Sequence, residues 1–225
     1  MIPRDRAATV ALLGGESSGK TTLATGLQKQ LQDLHGLRAV LVPEYLRTWC
    51  QAAGRAPRAH EQAAIAEEQT RLIRAAQAAP GVDVVIADTT ALMVAAYSAL
   101  YFQDDNLLPP ALAEQAHHDL TLLMGLDLPW TPDGLFRDSP AIREATDTWL
   151  RHTLQTAGIR FQTVYGPPQA RERQALRAIG HTLDRPLVAR DTTLETGLRP
   201  WSCDTCSDPD CEHRLFTALL PTRPI

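Results

Sequence analysis

The stretch GGESSGKTT, residues 14–22, lies between an apolar run over residues 7–13 and a helical pattern over residues 23–34. Glycines let a backbone approach an anion closely, and successive amide N–H groups at a helix N-terminus point positive dipoles towards it. The stretch matches GxxxxGK[ST], the pattern of phosphate-binding loops, at Gly14, Gly19, Lys20 and Thr21. It therefore predicts a loop that binds the phosphates of a nucleoside triphosphate.

Two side chains of this loop have expected roles in binding the nucleoside triphosphate. We expect Lys20 to reach the β- and γ-phosphates and the Thr21 hydroxyl to bind Mg²⁺. Only two of the 22 basic residues are lysines, which makes an ammonium at this position conspicuous. Contact with the nucleotide is expected along the whole loop, from Gly14, Gly15, Glu16, Ser17, Ser18, Gly19, Lys20, Thr21 and Thr22. The loop alone does not identify a reaction, because switch GTPases, motor ATPases and small-molecule kinases all use it.

The rest of the chain alternates between short apolar runs and helical spacing. The apolar runs indicate buried strands over residues 9–13, 39–42, 82–87, 120–124 and 160–164. The helical spacing predicts helices over residues 21–34, 59–78, 91–101, 111–117, 142–157 and 169–179. Such alternation predicts an α/β fold, a three-layer P-loop NTPase fold with a parallel five-stranded sheet. We expect a P-loop kinase domain over residues 1–180 and an extension over residues 181–225.

Charged residues follow the second and third expected strands, at the edge of the sheet where ligands bind in open α/β folds. In VPEYLRTW, Glu44 is a candidate general base for a substrate hydroxyl, and Arg47 could clamp phosphate or pair with Glu44. In VVIADTT, Asp88 resembles the Walker B carboxylate that holds Mg²⁺. A solvated pair and a helix N-cap are the alternatives for these residues. A base and a metal carboxylate on successive strands favour a kinase over a switch GTPase, and no NKxD guanine-reading motif is present.

The segment after the fourth strand, GLDLPWTPDGLFRD over residues 125–138, is rich in proline, glycine and aspartate. These residues break regular structure, which favours a lid that closes over the phosphates. Arg137 and Arg143 could bring positive charge to the transferred phosphoryl group. Trp130 is either a stacking face for a substrate ring or a packing anchor.

Three cysteines and a histidine cluster in WSCDTCSDPDCEH, residues 201–213. Cys203, Cys206, Cys211 and His213 follow the spacing CxxCxxxxCxH, and three sulfurs with one imidazole can close a tetrahedral Zn²⁺ site. Such a site would organise an extension that has little core of its own. A reduced cysteine cluster without metal is the alternative.

Composition excludes several classes of protein. Hydrophobic residues at 44% and charged residues at 21% are typical of a globular protein, and the net charge of -4 does not favour a nucleic-acid partner. No apolar run reaches the ~18 residues that a membrane span needs, and the N-terminus lacks the apolar centre of a signal peptide. We therefore expect a cytoplasmic protein with a small-molecule partner and no contact with membranes.

Together the motifs resemble those of the ribosylnicotinamide kinase domain of NadR-like proteins. The similarity covers residues 9 to about 178, where GGESSGKTT, PEYLR, IADTT and DLPWTPDGLFRD occur in the family's order and at similar spacing. It implies ATP- and Mg²⁺-dependent phosphorylation of nicotinamide riboside to its mononucleotide. It further implies that Lys20 and Thr21 bind ATP and Mg²⁺, and that Glu44 and Asp88 face the acceptor ribose and the metal. The residues implied in the lid and substrate region are Trp130, Asp133 and Arg137.

The sequence departs from the family at two points. NadR-like proteins often carry a nucleotidyltransferase domain with an HxGH motif, which is absent here, so we expect another protein to adenylylate the product. Phe136 is an extra residue relative to the family pattern before Arg137. Two other functions remain open: a kinase of another nucleoside, and a P-loop ATPase that acts as a regulatory switch.

Overall fold

The structure is a computed structural model, and it describes residues 6–131 and 139–189. The chain divides into two compact units, Met1–Leu187 and Val188–Ile225. The division expected at residue 180 stays a prediction, and so does the zinc-organised extension, because Cys203, Cys206, Cys211 and His213 lie outside the described residues.

The described part of the chain contains a five-stranded sheet in which all neighbours are parallel. The strands are β1 (Ala8–Leu13), β2 (Ala39–Val42), β3 (Val84–Asp88), β4 (Leu120–Met124) and β5 (Gln162–Val164). Their order across the sheet is β2-β3-β1-β4-β5, so the strand that leads into the phosphate loop is central. The predicted α/β class and parallel five-stranded sheet are confirmed. The structure begins β3 two residues later than the sequence pattern suggested, and ends it at Asp88.

Seven α-helices connect or follow these strands in the described residues. They are α1 (Lys20–Asp33), α2 (Tyr45–Ala53), α3 (Gln62–Ala78), α4 (Ala91–Phe102), α5 (Leu108–Gln115), α6 (Pro140–Thr156) and α7 (Pro168–Thr182). Helix α2 was not among the predicted helices, because it is only nine residues long and ends at Gly54. Helix α5 begins three residues before its predicted start, since Pro109 and Pro110 fit its first turn, where no backbone N–H is needed.

Right-handed crossovers place the helices on both faces of the sheet. The connection from β1 to β2 runs towards one edge, and those from β2 to β3, β3 to β4 and β4 to β5 run towards the other. Because crossover handedness is fixed, α1 covers one face, whereas α3, α4 and α6 cover the opposite face. Helix α7 packs on α1, and α4 packs against α3, α5 and α6. This arrangement buries β1 completely and leaves the carboxyl ends of the strands as one edge.

The core is built around elements that are buried along most of their length. All six residues of β1 are buried, and the first eight residues of α4 are buried on every side. Burial of this kind is the main source of stability for the fold. Among the described helices, none has the length and apolar character to cross a membrane.

Candidate active site

The phosphate loop connects the central strand to α1 at the carboxyl edge of the sheet. Gly14 has φ 148°, and a Cβ added there would lie 2.9 Å from the Cβ of Met124 on β4. A side chain at position 14 would therefore clash with the neighbouring strand. The loop also closes on itself, since the Ser18 hydroxyl donates a 2.7 Å hydrogen bond to the Gly15 carbonyl. Helix α1 begins at Lys20, directly after the loop, and the N-terminal amides of the helix are directed towards the loop.

The ammonium of Lys20 lies over this loop. Its Nζ donates hydrogen bonds to the carbonyls of Gly14 at 2.7 Å and Gly15 at 3.0 Å, and the side chain is buried. An ammonium carries three donors, so two bonds to the loop leave a third for a ligand oxygen. The role of Lys20 in binding the terminal phosphates of a nucleotide stays a prediction.

Thr21 and Asp88 come together although 67 residues separate them in the chain. The Thr21 hydroxyl donates a 2.6 Å hydrogen bond to Oδ2 of Asp88. The other carboxylate oxygen, Oδ1, is buried and has no hydrogen-bond partner in the described parts of the chain. A buried carboxylate oxygen without a partner is costly unless a cation or a donor binds it. One hydroxyl and one carboxylate are ligands that suit Mg²⁺, and these residues fit the metal that the sequence predicted.

Glu44 occupies the N-cap position of α2, two residues after the end of β2, and its side chain makes no capping hydrogen bond. Its side chain is only 18% exposed, and its Oε2 lies 3.9 Å from Nε of Arg47. The pKa of the Glu44 carboxyl is raised, and burial is the largest cause. The positive charges of Lys20 and Arg47 lower this pKa in part, whereas the negative charge of Asp88 raises it further. A carboxylate with a raised pKa accepts a proton more readily than an exposed one. Since β2 and β3 are neighbours, the structure places Glu44 and Asp88 at adjacent strand ends.

Tyr97 on α4 faces the same region and was not singled out from the sequence. Burial raises the pKa of its hydroxyl well above the ordinary value, and the charges of Glu44 and Glu16 raise it further. The two carboxylates therefore lie on the side of the site that Tyr97 borders. Its ring also packs against Tyr101, with 6.2 Å between ring centres. Tyr97 stands inside a continuous apolar run, ALMVAAYSAL, so the pattern indicated only a core residue.

The residues expected in the lid are only partly within the described chain. Asp133 and Arg137 lie outside it. Trp130 is half-buried, and its Nε1 is buried without a hydrogen bond to any described residue. The next residue ties this segment to the phosphate loop, because the Thr131 amide donates a 2.9 Å hydrogen bond to the Ser17 hydroxyl.

Arg143 braces the segment after β4. It is 5% exposed, and its Nη2 donates hydrogen bonds to the carbonyls of Leu126 and, at 2.7 Å, Leu128. Its own backbone abuts the phosphate loop, since a Cβ on Gly15 would lie 2.8 Å from the Arg143 carbonyl. The sequence suggested that this arginine brings charge to phosphate. The contacts of its Nη2 hold the segment after β4, and contact of Arg143 with phosphate stays a prediction.

Arg171 is a residue of the site that the sequence analysis did not single out, and it makes several of the hydrogen bonds there. This guanidinium on α7 is 2% exposed and donates hydrogen bonds to the carbonyls of Ser18 at 2.7 Å, Gly166 at 2.8 Å and Gly125 at 3.1 Å. It also pairs with Asp127 at 2.5 Å. Because these partners belong to the phosphate loop and to the ends of β4 and β5, one side chain joins three strand ends. No local pattern reports contacts across such long separations in the chain.

Comparisons with known proteins agree with this fold. A family model described as AAA domain matches residues 9–171. A solved structure of NadR protein in complex with NR has a TM-score of 0.67 at 20% identity, and one in complex with NAD and AMP-PNP has 0.64 at 19%. Both cover 82% of this chain, but 54% and 51% of the NadR chains, so the chain spans about half of their length. No curated protein matches the chain.

A thymidylate kinase from Ehrlichia chaffeensis also has this fold. Its TM-score is 0.57 at 14% identity, over 77% of this chain and 98% of that chain. At these identities the likeness concerns the fold. The comparisons thereby confirm two predictions as statements about the fold. These are the resemblance to the NadR kinase domain and the P-loop kinase fold.

Proposed function

The chain belongs to the AAA domain family, and from this membership and the geometry of the site we propose that it is an ATP-dependent kinase of nicotinamide riboside. The observation that carries the proposal is the placement of Glu44 and Asp88 at adjacent strand ends beside Lys20. A switch protein has no need of a buried carboxylate at the end of β2, whereas a kinase needs a base there. Fold likeness to NadR structures supports the choice of acceptor.

The proposed reaction transfers the γ-phosphoryl group of ATP to the 5′-hydroxyl of the riboside. The 5′-oxygen forms a bond to the γ-phosphorus, the bond from that phosphorus to the β,γ-bridging oxygen breaks, and ADP leaves. Glu44 accepts the proton of the hydroxyl. Lys20 and the amides of the phosphate loop offset negative charge on the phosphates. Thr21 and Asp88 would hold Mg²⁺, which supplies further positive charge to the phosphates.

The charge of the acceptor side supports a cationic substrate. The charges of Glu44 and Glu16 both raise the pKa of the Tyr97 hydroxyl, and that of Arg47 lowers it, so two carboxylates and one guanidinium act on this region. Nicotinamide riboside carries a positive pyridinium ring, whereas the common nucleosides are neutral. Opposite charges at close range in a partly buried site attract strongly. Arg47, which is close to Glu44, and Trp130 complete the residues that we propose for substrate binding.

A turnover screen tests the proposal. The full chain is given ATP and Mg²⁺ with nicotinamide riboside or with each common nucleoside, and ADP and phosphorylated product are measured. We expect phosphorylation of nicotinamide riboside with a kcat/KM at least about tenfold above that of any neutral nucleoside. Glu44→Gln should lower kcat by about 10²–10⁴-fold and leave binding of an ATP analogue intact, as expected for loss of a general base.

The alternative functions make different predictions in the same assay. Phosphorylation of a neutral nucleoside alone would identify a kinase with another acceptor. Slow ATP hydrolysis without any phosphorylated acceptor, unchanged by Glu44→Gln, would indicate a regulatory ATPase. Either result would overturn the proposed function.

A further inference from the structure

Gln69 on α3 joins the two strand ends that carry Glu44 and Asp88. The side chain is 1% exposed. Its Oε1 accepts a 2.7 Å hydrogen bond from the Tyr45 amide, and its Nε2 donates to the carbonyls of Pro43 at 3.4 Å and Thr89 at 3.3 Å. Pro43 and Tyr45 are the two neighbours of Glu44 in the chain, and Thr89 directly follows Asp88.

The chemistry of the carboxamide suits this position better than that of other side chains. An amide offers one acceptor oxygen and two N–H donors from a single rigid plane. Here the oxygen binds the peptide on one side of Glu44, and the nitrogen binds the peptide on its other side. An apolar side chain would leave these backbone groups without their partner, and a carboxylate would offer no donor to the carbonyls.

The backbone directly after β3 has an uncommon conformation at Thr89, which Gln69 contacts. Thr89 has φ 77°, which a β-branched residue rarely adopts. Its amide donates a 3.2 Å hydrogen bond to the Leu12 carbonyl on β1, while its carbonyl accepts from Gln69. Strained backbone of this kind persists only where its surroundings hold it, and it is often found at functional sites. Gln69 is part of that restraint.

We propose that Gln69 is a positioning residue that fixes Glu44, the base, relative to the end of β3 that carries Asp88. The inference rests on the proposed function of Glu44. Gln69 acts through the backbone on both sides of Glu44, and it has no hydrogen bond to the phosphate loop among the described residues. Its loss should therefore slow phosphoryl transfer and leave ATP binding unchanged.

The chain offers a matched control in Gln62. It is also a buried glutamine of α3, 3% exposed, and lies seven residues before Gln69, close to the same side of the helix. Its Oε1 has no hydrogen-bond partner in the described residues. Substitution of either residue by methionine keeps the approximate length of the side chain. Only the substitution at position 69 removes contacts with the site.

The test compares Gln69→Met, Gln62→Met, Glu44→Gln and the double variant Gln69→Met/Glu44→Gln in the full chain. We expect Gln69→Met to lower kcat at least about tenfold, because small displacements of a catalytic group are costly. The Kd for an ATP analogue should change less than about twofold, and Gln62→Met should keep kcat within about twofold. In the Glu44→Gln background, Gln69→Met should change kcat by less than about twofold, since coupled residues are not additive.

Two kinetic results would overturn the role of Gln69. One is an unchanged kcat for Gln69→Met, and the other is an equal loss of kcat with and without Glu44. A crystal structure of Gln69→Met gives a readout that does not depend on the acceptor: displacement of residues 43–45 relative to Asp88 is expected, and an unmoved segment would refute the proposal. Absence of acceptor phosphorylation by the wild-type chain would instead refute the proposed function, which keeps the two failures distinct.

Discussion

The carboxyl group of Glu44 is held in an environment that opposes its ionisation. Burial is the largest cause of its raised pKa, and the neighbouring charge of Asp88 adds to the effect, while Lys20 and Arg47 offset only part of it. A surface glutamate would not suffer this cost. Active sites often retain such unfavourable groups because the chemistry needs them.

This cost predicts how stability depends on pH. Because the folded-state pKa of Glu44 exceeds its unfolded value, the folded chain holds more protons between the two values, and stability falls as pH rises through that window. Glu44→Gln removes the titration. We expect the variant to have a higher Tm than wild type at pH 7–8, with the difference shrinking towards about pH 4, near the ordinary glutamate pKa. Thermal unfolding across this range measures it, and a difference that is largest in acid would contradict the explanation.

Local sequence predicted the ionic groups of the site and did not predict the side chains that orient them. Lys20, Thr21, Glu44 and Asp88 each occur in a short motif or directly after an apolar strand, so their positions follow from local patterns. Gln69 and Arg171 bind backbone groups of distant segments. Glutamine and arginine on a helix are ordinarily solvated, so no feature of a single sequence separates these two from their neighbours.

The strands and helices of the site are joined mainly at the carboxyl edge of the sheet. Helix α7 contributes Arg171, which binds Ser18 of the phosphate loop, Gly125 after β4 and Gly166 after β5. Desolvation lowers the pKa of this guanidinium, whereas the charge of Asp127 raises it. Three backbone carbonyls and a carboxylate compensate its burial, as buried cations require.

Arg171→Met should therefore affect the phosphate loop and the stability of the fold together. The substitution leaves three backbone acceptors and Asp127 without their donor, so we expect unfolding free energy to fall by about 2–4 kcal/mol. Affinity for an ATP analogue should fall at least about tenfold in the folded variant, because the loop loses its brace. Denaturant unfolding and calorimetric titration measure the two effects. Arg173→Met, on the exposed side of the same helix, should change neither.

Secondary structure was predictable to different degrees along the chain. β2 and β4 have the bounds that the apolar runs indicated, because buried strands of a parallel sheet are continuously apolar. Helix α2 was missed because its nine residues are stabilised by packing of Tyr45, Leu46 and Trp49 on the core rather than by a long amphipathic pattern. The sequence predicted a parallel sheet but not the order of its strands. That order depends on long-range contacts, such as the pairing of β1 with β3 and β4.

The whole chain extends beyond the described core, and the cluster of cysteines in residues 201–213 gives the proposed zinc site a direct test. We expect close to one zinc per full chain by elemental analysis, held by Cys203, Cys206, Cys211 and His213. The double variant Cys203→Ser/Cys206→Ser should lose the metal and lower the Tm of the chain, because zinc binding contributes to folding. Cys50→Ser, at the cysteine buried in α2, is the control and should keep the zinc. A metal-free wild-type chain purified with zinc present would contradict the proposal.

The bond between Arg171 and Ser18 also bears on the order in which a ribosome makes the molecule. The two residues are 153 positions apart, and at typical synthesis rates about 8–30 s separate their appearance. The phosphate loop is made before the guanidinium that braces it, because Arg171 belongs to α7, the last of the described helices. Until α7 has been made, the Ser18 carbonyl lacks this donor, so under the proposed function we expect full affinity for ATP only after both Glu44 and Asp88 have already been made.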